Sequence, residues 1–324
     1  MSSLNVKQIK SAAGETLQSA AMHPKKLALI HSGIVAAATL AVTILNYLLQ
    51  QQMTSTGGLS GMDTRAILST AQSMLTLAVT VLLPFWEIGF LYACLGYARK
   101  QQVGIPTLTE GLRRFFPVLR LNLIQGVIYI ALSVAALQIG SFLFMLTPFS
   151  EGVVTAMDSI LSTTDAALSD ETLIQLITTA APIYLFCGVI ALVLIVPMSY
   201  RFRMAGFYLL DKKERRALAA IAASSRMMRY NRFALFRLDL SYWWYYAAAV
   251  LLGVIGNLDV TLAAAGIPIG AATPWICYGV YLAGQLLLAW FAAAKVQTSY
   301  AVAYDILLPE ADPVNPTATF EPGD

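Results

Sequence analysis

The apolar positions of the chain gather in six long blocks instead of alternating with polar positions. A soluble core helix seldom needs more than about 14 consecutive apolar residues, whereas a helix that crosses a bilayer needs roughly 20. The blocks here are of the longer kind and predict membrane spans at residues 27–49, 67–98, 117–146, 173–200, 233–255 and 274–308. The pattern therefore predicts an all-α fold, a polytopic membrane helical bundle of six transmembrane helices.

Short amphipathic segments precede the odd-numbered spans. Their helical spacing is carried by Val6, Ile9, Ala13 and Leu17 ahead of the first span and by Leu218, Ile221, Ser225 and Met228 ahead of the fifth. The segment ahead of the third span opens with Thr107 and Glu110, which fit a capping box. We expect these segments, the first of them within residues 1–26, to form helices on the cytoplasmic membrane surface.

The chain also contains a short internal match. A shift of 117 residues lays FPVLRLNL (116–123) on FALFRLDL (233–240), and it lays Gly89-Phe90 on Gly206-Phe207. This match predicts that spans two and three are repeated as spans four and five. A surface helix followed by two spans would then be the repeating unit.

Composition and charge predict the orientation of the chain. Hydrophobic residues make up 58% and charged residues 12%, and of the 21 Lys and Arg only Arg65 falls on the second side of the predicted spans. Since short cytoplasmic segments retain positive charge, the first side and both termini should be cytoplasmic, in a cell membrane. Loop 147–172 has acidic residues but no Lys or Arg, so it should be external. The net charge of +3 is then a topology signal, and no nucleic acid is expected as a partner.

Two further segments are interpreted from composition and motif. The tail 309–324, which combines prolines with acids, is expected to be disordered.

Residues 58–61 spell the G-x-S-G of rhomboid-type intramembrane proteases, but that serine needs a histidine base from a later span, and His23 and His31 both precede it. No metal-binding, P-loop or dinucleotide motif appears. We therefore expect no catalytic residue, no metal and no cofactor.

One acid stands deep inside a predicted span. Glu87, in LLPFWEIGF, lies about 11 residues from the basic end of its span, roughly 16 Å deep at 1.5 Å per residue. Pro84 can kink the helix just before it. An acid at such depth is protonated, paired or beside water. Two interpretations stay open: an ion pair with Arg120 or Arg237, or a binding cavity around Glu87.

A second polar pair marks the start of the fifth span. In RFALFRLDLSYWWYY (232–246), Arg237 and Asp239 stand where the chain becomes apolar, and Arg can extend to the headgroups there. Asp239 lies about 200° around a helix from Arg237, so it should face the preceding surface helix. Its candidate partners there are Arg226, Arg229 and Arg232. The candidate substrate-binding residues are Glu87, Arg120, Arg237 and Asp239.

The segment AIAASSRMMRYNRFALFRLDLSYWW resembles the signature of DUF975, an uncharacterised family of six-span integral membrane proteins from Gram-positive bacteria. That signature reads Ser-Arg, a turn like Met-Lys-Gly-Asn, then Phe-x-Leu-x-Leu-Ser-Phe and Trp. The matching residues are Ser225, Arg226, Met228, Asn231, Phe236, Leu238, Leu240, Ser241 and Trp243. Pro197 and Ala303-Tyr304-Asp305 fall where the family has Pro-Gly and Phe-Tyr-Glu, while Tyr230 and Met198 replace glycines. The resemblance implies a fold and a membrane location, and it implies no activity.

Two classes of function stay open. The first is a non-enzymatic membrane protein that binds a lipid, peptide or protein partner through its basic cytoplasmic residues and amphipathic helices, with membrane lipids as expected partners. The second is a transporter or permease-like protein for a small molecule or peptide, with Glu87 in a central cavity. An intramembrane enzyme is the remote third class, because no nucleophile and base share one side of the membrane.

Overall fold

The computed structural model of the protein describes residues 5–19, 23–55, 60–163, 170–264, 270 and 272–311. Residues 309–311 of the tail predicted to be disordered are instead helical, at the end of the last described helix, and the tail from residue 312 onward lies outside the described residues. Gly58 and Leu59 of the G-x-S-G match also lie outside them. The described part of the chain is 89% helical and contains no strand, which confirms the predicted all-α class.

The described helices are, in chain order, α1 (Val6–Gln18), α2 (Pro24–Ser55), α3 (Ser60–Ala98), α4 (Glu110–Arg113), α5 (Phe115–Met145), α6 (Ser150–Thr163), α7 (Asp170–Phe202), α8 (Ala205–Asp211), α9 (Ala217–Met227), α10 (Arg232–Ser241), α11 (Trp243–Gly256), α12 (Leu258–Ala264), α13 (Thr273–Leu288) and α14 (Ala294–Ala311). A 3-10 helix, Ile105–Thr109, leads into α4. A π-helical turn, Ala289–Ala293, joins α13 to α14, and such a turn widens a helix without ending it. Helices α13 and α14 are therefore one long element.

Five stretches of the described chain are long and apolar enough to cross a membrane. They are Pro24–Leu49, Ala66–Ala98, Phe115–Met145, Thr178–Asp211 and Thr273–Pro309. Helices α10 and α11 meet this criterion only together, and they are bent by 67° where they join. The number of spans is thus five, or six if the bent pair counts as one, and the protein is a polytopic membrane bundle.

The sides of these helices are suited to lipid. Only 11% to 22% of the most apolar stretch of each span is buried within the protein. Large side chains such as Leu77 on α3, Phe142 on α5 and Leu192 on α7 are exposed. A soluble protein would have to bury such faces, whereas hydrocarbon is as apolar as they are. The long helices therefore need few contacts with one another along much of their length.

The buried core lies at one end of the bundle, which we call the basic end because Arg99, Arg120 and Arg203 are there. Aromatic residues fill its centre, and Tyr97, Tyr300 and Tyr304 are almost completely buried. The amphipathic helix α1 packs on α14 and α3 and buries Ile9, while its Lys7 side stays exposed. Helix α9 packs against α8, α14 and α5 at the same end. The short helices thus close the core where the spans meet.

The two segments of the internal match adopt different shapes. Residues 116–123 lie in the first turns of the continuous helix α5, whereas 233–240 form α10, which bends by 67° into α11. The segment that begins with α10 is therefore locally bent and its counterpart is not. The repeat of whole span pairs stays a prediction.

The acidic stretch 147–172, predicted as a loop, contains the helix α6. Its first turn carries Glu151, a favourable position because the amino-terminal end of a helix is electropositive. Thr147 and Ser150 at its start are both held by hydrogen bonds to backbone carbonyls in the last turn of α5 or in the turn that follows it. A helical element therefore links α5 to α7.

Candidate functional site

A carboxylate at the end of α10 collects polar side chains from several helices. Tyr200 of α7 donates a 2.5 Å hydrogen bond to Asp239 Oδ2, and Tyr300 of α14 donates a short one to Oδ1. The Tyr246 hydroxyl of α11 lies 3.4 Å from Oδ1, and Arg203 Nη2 lies 3.5 Å from the same oxygen. We call these five residues the Asp239 cluster.

The bend between α10 and α11 positions Asp239. At the bend, the Tyr242 N–H donates to the Asp239 carbonyl at 2.9 Å, which ends α10 within one turn of the carboxylate. The Tyr242 ring is buried, and its hydroxyl lies 2.9 Å from Ser299 Oγ on α14. Lys10 of α1 covers the other side of that ring at 4.4 Å. Tyr242 is thus anchored at the bend, and Tyr246 in the first turn of α11 lies beside Asp239.

Arg203 completes the charge balance of the Asp239 cluster. Its guanidinium lies 4.4 Å from the centre of the Tyr300 ring and donates to the Tyr246 hydroxyl at 3.3 Å. A carboxylate with an arginine partner and several hydroxyl donors meets the requirement for a charge removed from water. Both Asp239, 17% exposed, and Arg203, 34% exposed, keep some access from outside. The cluster therefore ties α7, α10, α11 and α14 together.

A second ionic cluster closes the core beside it. Arg99, just after α3, pairs with Asp211 at the end of α8 and with Asp305 of α14. Tyr304 donates a 2.9 Å hydrogen bond to Asp211 Oδ2. Burial favours a lower pKa for Arg99, but its hydrogen bonds to both carboxylates outweigh this and raise the pKa above its ordinary value. The guanidinium therefore stays charged and joins three helices. We call Arg99, Asp211, Tyr304 and Asp305 the Arg99 cluster.

Glu87 is not where the ion-pair interpretation places it. Its side chain is exposed, and it forms no hydrogen bond or ion pair with the described residues. Its electrostatic neighbour is Tyr245 of α11. The predicted pair with Arg120 or Arg237 is therefore wrong. Both arginines are exposed on their own helices, and helical spacing alone does not reveal which way a helix is rotated.

The predicted partners of Asp239 are also corrected. We expected Arg226, Arg229 or Arg232 of the surface segment, and the structure pairs Asp239 with Arg203 instead. Arg203 follows α7 directly and so lies close to the bend, because α7 packs against α10. Arg237, two residues from Asp239, is exposed on another side of α10, in agreement with the angle between them.

A cavity of about 700 Å³ opens between α5 and the start of α9. From α5 it is lined by Arg120, Leu123 and Ile124, and from the α8–α9 connection and the first turn of α9 by Arg215, Arg216, Ala217, Leu218 and Ala219. We call it the basic pocket. Its three arginines are exposed, and none belongs to the ion pairs of the described residues. The pocket thus combines unpaired positive charge with an apolar wall.

Comparison with known protein families agrees with the sequence resemblance. The family model described as "Protein of unknown function (DUF975)" matches residues 1–300 of the 324. The chain belongs to the DUF975 family. No curated protein and no solved structure matches it.

The DUF975 signature residues lie close to both clusters. Asn231 donates to the Met227 carbonyl at 2.9 Å across the α9–α10 turn, and the buried Leu238 anchors α10 next to Asp239. Tyr304 and Asp305, which fall at the family's Phe-Tyr-Glu segment, are the α14 part of the Arg99 cluster. The family resemblance therefore marked residues that hold the basic end together.

The structure separates the four predicted site residues. Asp239 lies in its own cluster, Arg120 lines the basic pocket, Arg237 is on the exposed surface of α10, and Glu87 stands apart on α3. Sequence reasoning missed Arg203, Tyr200, Tyr246 and Tyr300, and it missed the roles of Arg215 and Arg216 in the pocket. The missed tyrosines carry no shared motif, since they come from three spans. The sequence signals were an acid inside an apolar block, at Glu87, and the charges near the starts of predicted spans.

Proposed function

We propose that this DUF975 protein is a non-enzymatic multi-pass membrane protein that binds a lipid, peptide or protein partner at its basic end. The observation that carries this proposal is a rim of exposed arginines without ion pairs among the described residues: Arg120, Arg201, Arg215, Arg216 and Arg237. Unpaired surface charge attracts a partner of opposite charge. We call these five residues the basic rim.

The surroundings of the basic rim support a membrane-linked partner. Exposed apolar residues such as Phe233 and Phe236 stand beside Arg237, and Leu123 stands beside Arg120. Basic residues next to anionic lipid contribute about 1 kcal/mol each to attraction. The same bias supports a cytoplasmic orientation of the basic end in a cell membrane, with both termini on that side.

The packing of His31 supports a non-enzymatic role. His31 lies against Phe90, with the ring centres 4.4 Å apart, and faces Trp86 as well. A general base would have to lie within hydrogen-bonding reach of a nucleophile. His31 instead fills an aromatic stack between α2 and α3. Its role in the described structure is therefore one of packing.

Native mass spectrometry tests the proposed function. The full chain, purified from its membrane in a neutral detergent, should retain at least one non-covalent ligand. A variant with all five basic-rim arginines changed to glutamine should lose most of it, because the attraction of roughly 1 kcal/mol per arginine is removed. A matched variant removes the five exposed lysines Lys7, Lys26, Lys100, Lys212 and Lys213 and should keep the ligand. Detection of only the ligand-free mass in every preparation would contradict the proposal.

Transport is a second candidate function, and it rests on the ionisable Glu87 within a membrane span, since Glu87 does not line the basic pocket. The carboxylate is exposed and unpaired among the described residues, on a span that contains Pro84. An ionisable group in a span commonly marks an ion or proton route. Here its neighbour is the phenol of Tyr245 and not a basic group. No hydrogen bond or ion pair within the described residues gives the Glu87 carboxylate a structural role.

Substitution of Glu87 separates transport from structure. Glu87→Gln should leave the melting temperature in detergent almost unchanged, because no described hydrogen bond is lost. In proteoliposomes containing a pH-sensitive dye, a membrane potential should drive a proton flux through the wild-type chain and not through the variant. The control Asp239→Asn removes a paired carboxylate and should cost about 3 kcal/mol of stability. Equal proton fluxes through wild type and Glu87→Gln would exclude this candidate.

A further inference from the structure

The basic pocket has the features of a binding site for one class of membrane component. It lies between α5, whose Arg120 is on the second turn, and the connection that leads into α9. At 1.5 Å per residue, Arg120 is about 8 Å along α5 from its first residue. That depth corresponds to the headgroup region if α5 begins at the membrane surface.

The charges of the pocket are not neutralised from within the described chain. The nearest acid in sequence is Glu214, whose Oε1 accepts hydrogen bonds from the backbone N–H groups of Arg215 at 2.8 Å and Arg216 at 2.9 Å. The carboxylate therefore holds the turn, and no guanidinium of the pocket is within ion-pair distance of it. Three arginines line the cavity, and no acid is among its lining residues.

The donors of the pocket fit a phosphate group. A guanidinium presents a planar fork that can bind two phosphate oxygens at once. The first turn of α9 adds backbone donors, since its N-cap residue Arg216 makes no side-chain hydrogen bond to that turn. The positive end of the helix also faces the cavity. These backbone donors add to the arginines, which by themselves supply the positive charge of the basic pocket.

The apolar wall excludes a purely soluble anion as the best fit. Leu123 is 57% exposed and Leu218 is 67% exposed, and both line the same cavity as the arginines. Ile124 continues this wall along α5, which is a membrane span. A free phosphate would leave the wall uncovered, whereas an amphiphile would cover it with a hydrocarbon chain. Charge and wall together select a ligand with an anionic head and an apolar tail.

We propose that the basic pocket binds the phosphate headgroup of an anionic phospholipid, with an acyl chain lying along Leu123, Ile124 and Leu218. This rests on the proposed function and names the lipid as the partner class. The site is confined to Arg120, Arg215 and Arg216, so Arg201 and Arg237 of the basic rim contribute only general attraction.

The test is a titration of the full chain in detergent with phosphatidylglycerol, followed by native mass spectrometry. Each arginine near anionic lipid contributes roughly a fivefold gain in affinity, so the triple variant Arg120→Gln, Arg215→Gln, Arg216→Gln should bind about 100-fold more weakly. The matched triple Arg113→Gln, Arg201→Gln, Arg237→Gln removes the same charge outside the pocket and should lose much less. All six arginines are exposed, so both triple variants should fold, with melting temperatures close to that of the wild type.

A fourth variant tests the cavity without changing its charge. Leu218→Trp should fill the basic pocket and weaken phosphatidylglycerol binding at least tenfold, while phosphatidylcholine should bind weakly to every form. Equal losses in the two arginine triples, or no loss with Leu218→Trp, would overturn the pocket. Complete displacement of phosphatidylglycerol by millimolar inorganic phosphate would instead assign the site to a soluble anion.

The outcomes for the pocket and for the proposed function are distinct. If the purified chain retains a peptide or protein, or a lipid that the pocket triple does not release, the pocket proposal fails and the proposed function stands. If the chain retains nothing and binds no phosphatidylglycerol, both fail.

Discussion

Replacement of Arg99 by alanine is expected to destabilise the protein by about 3 kcal/mol or more. Arg99 is 19% exposed and is the cation that pairs with both Asp211 and Asp305. Its removal leaves two carboxylates facing each other at the edge of the core, and removal of one partner of a buried pair typically costs about 3 to 5 kcal/mol. Asp305 is 30% exposed, so the loss should lie at the lower end of that range. The measurement is thermal unfolding of the purified chain in detergent.

Two companion variants identify the cause. Arg113→Ala removes an ion pair with Glu110 in which Arg113 is 73% exposed, and it should change stability by at most about 1 kcal/mol. Arg99→Lys keeps the charge but loses the planar fork that reaches both carboxylates, so it should fall between alanine and wild type. If Arg99→Ala unfolds like Arg113→Ala, the Arg99 cluster does not stabilise the basic end.

Substitution of Gly89 by alanine should destabilise the protein by about 3 kcal/mol or more. A methyl group at Gly89 would overlap the carbonyl of Leu108, in the 3-10 helix that leads into α4. The contact is reciprocal, since a methyl group at Gly111 of α4 would overlap the carbonyl of Phe85. These obstacles are backbone atoms and cannot rotate away. Helix α3 and the 3-10 helix with α4 would have to separate, which would open the core around the buried Phe85 and Leu108.

The internal match supplies a control for Gly89. Gly206 aligns with it in sequence, yet a methyl group at Gly206 would meet only ordinary contacts, with Leu91 at 3.8 Å and Ile88 at 3.9 Å. Gly206→Ala should therefore be neutral or stabilising by up to about 1 kcal/mol, because alanine favours helix. The measurement compares the melting temperatures of Gly89→Ala and Gly206→Ala. A similar decrease in both variants would contradict the close approach at Gly89.

The candidate site shows where sequence reasoning succeeded and where it ended. Charge near the start of a span marked Asp239, and Arg120 was named as a possible partner of Glu87; both belong to polar features of the basic end. Glu87 lies within the apolar stretch Ala66–Ala98, but the partner predicted for it is wrong. Asp239 and Arg203 are 36 residues apart in sequence and meet because α7 packs on α10. No spacing within a single helix predicts such a meeting.

The sequence by itself determined that this is an all-α membrane protein of the DUF975 family, where its long apolar helices lie, and that its positive charge is concentrated between particular helices. These properties follow from the chain locally, because the free energy of placing a helix in hydrocarbon sums over about 20 consecutive residues. Only the tertiary structure decided that α10 bends against α11 and that Arg203 neutralises Asp239. It also decided that there is room for a methyl group at Gly206 and none at Gly89. Those outcomes depend on the rotation and distance of helices remote in sequence, which are set by the packing of the whole basic end.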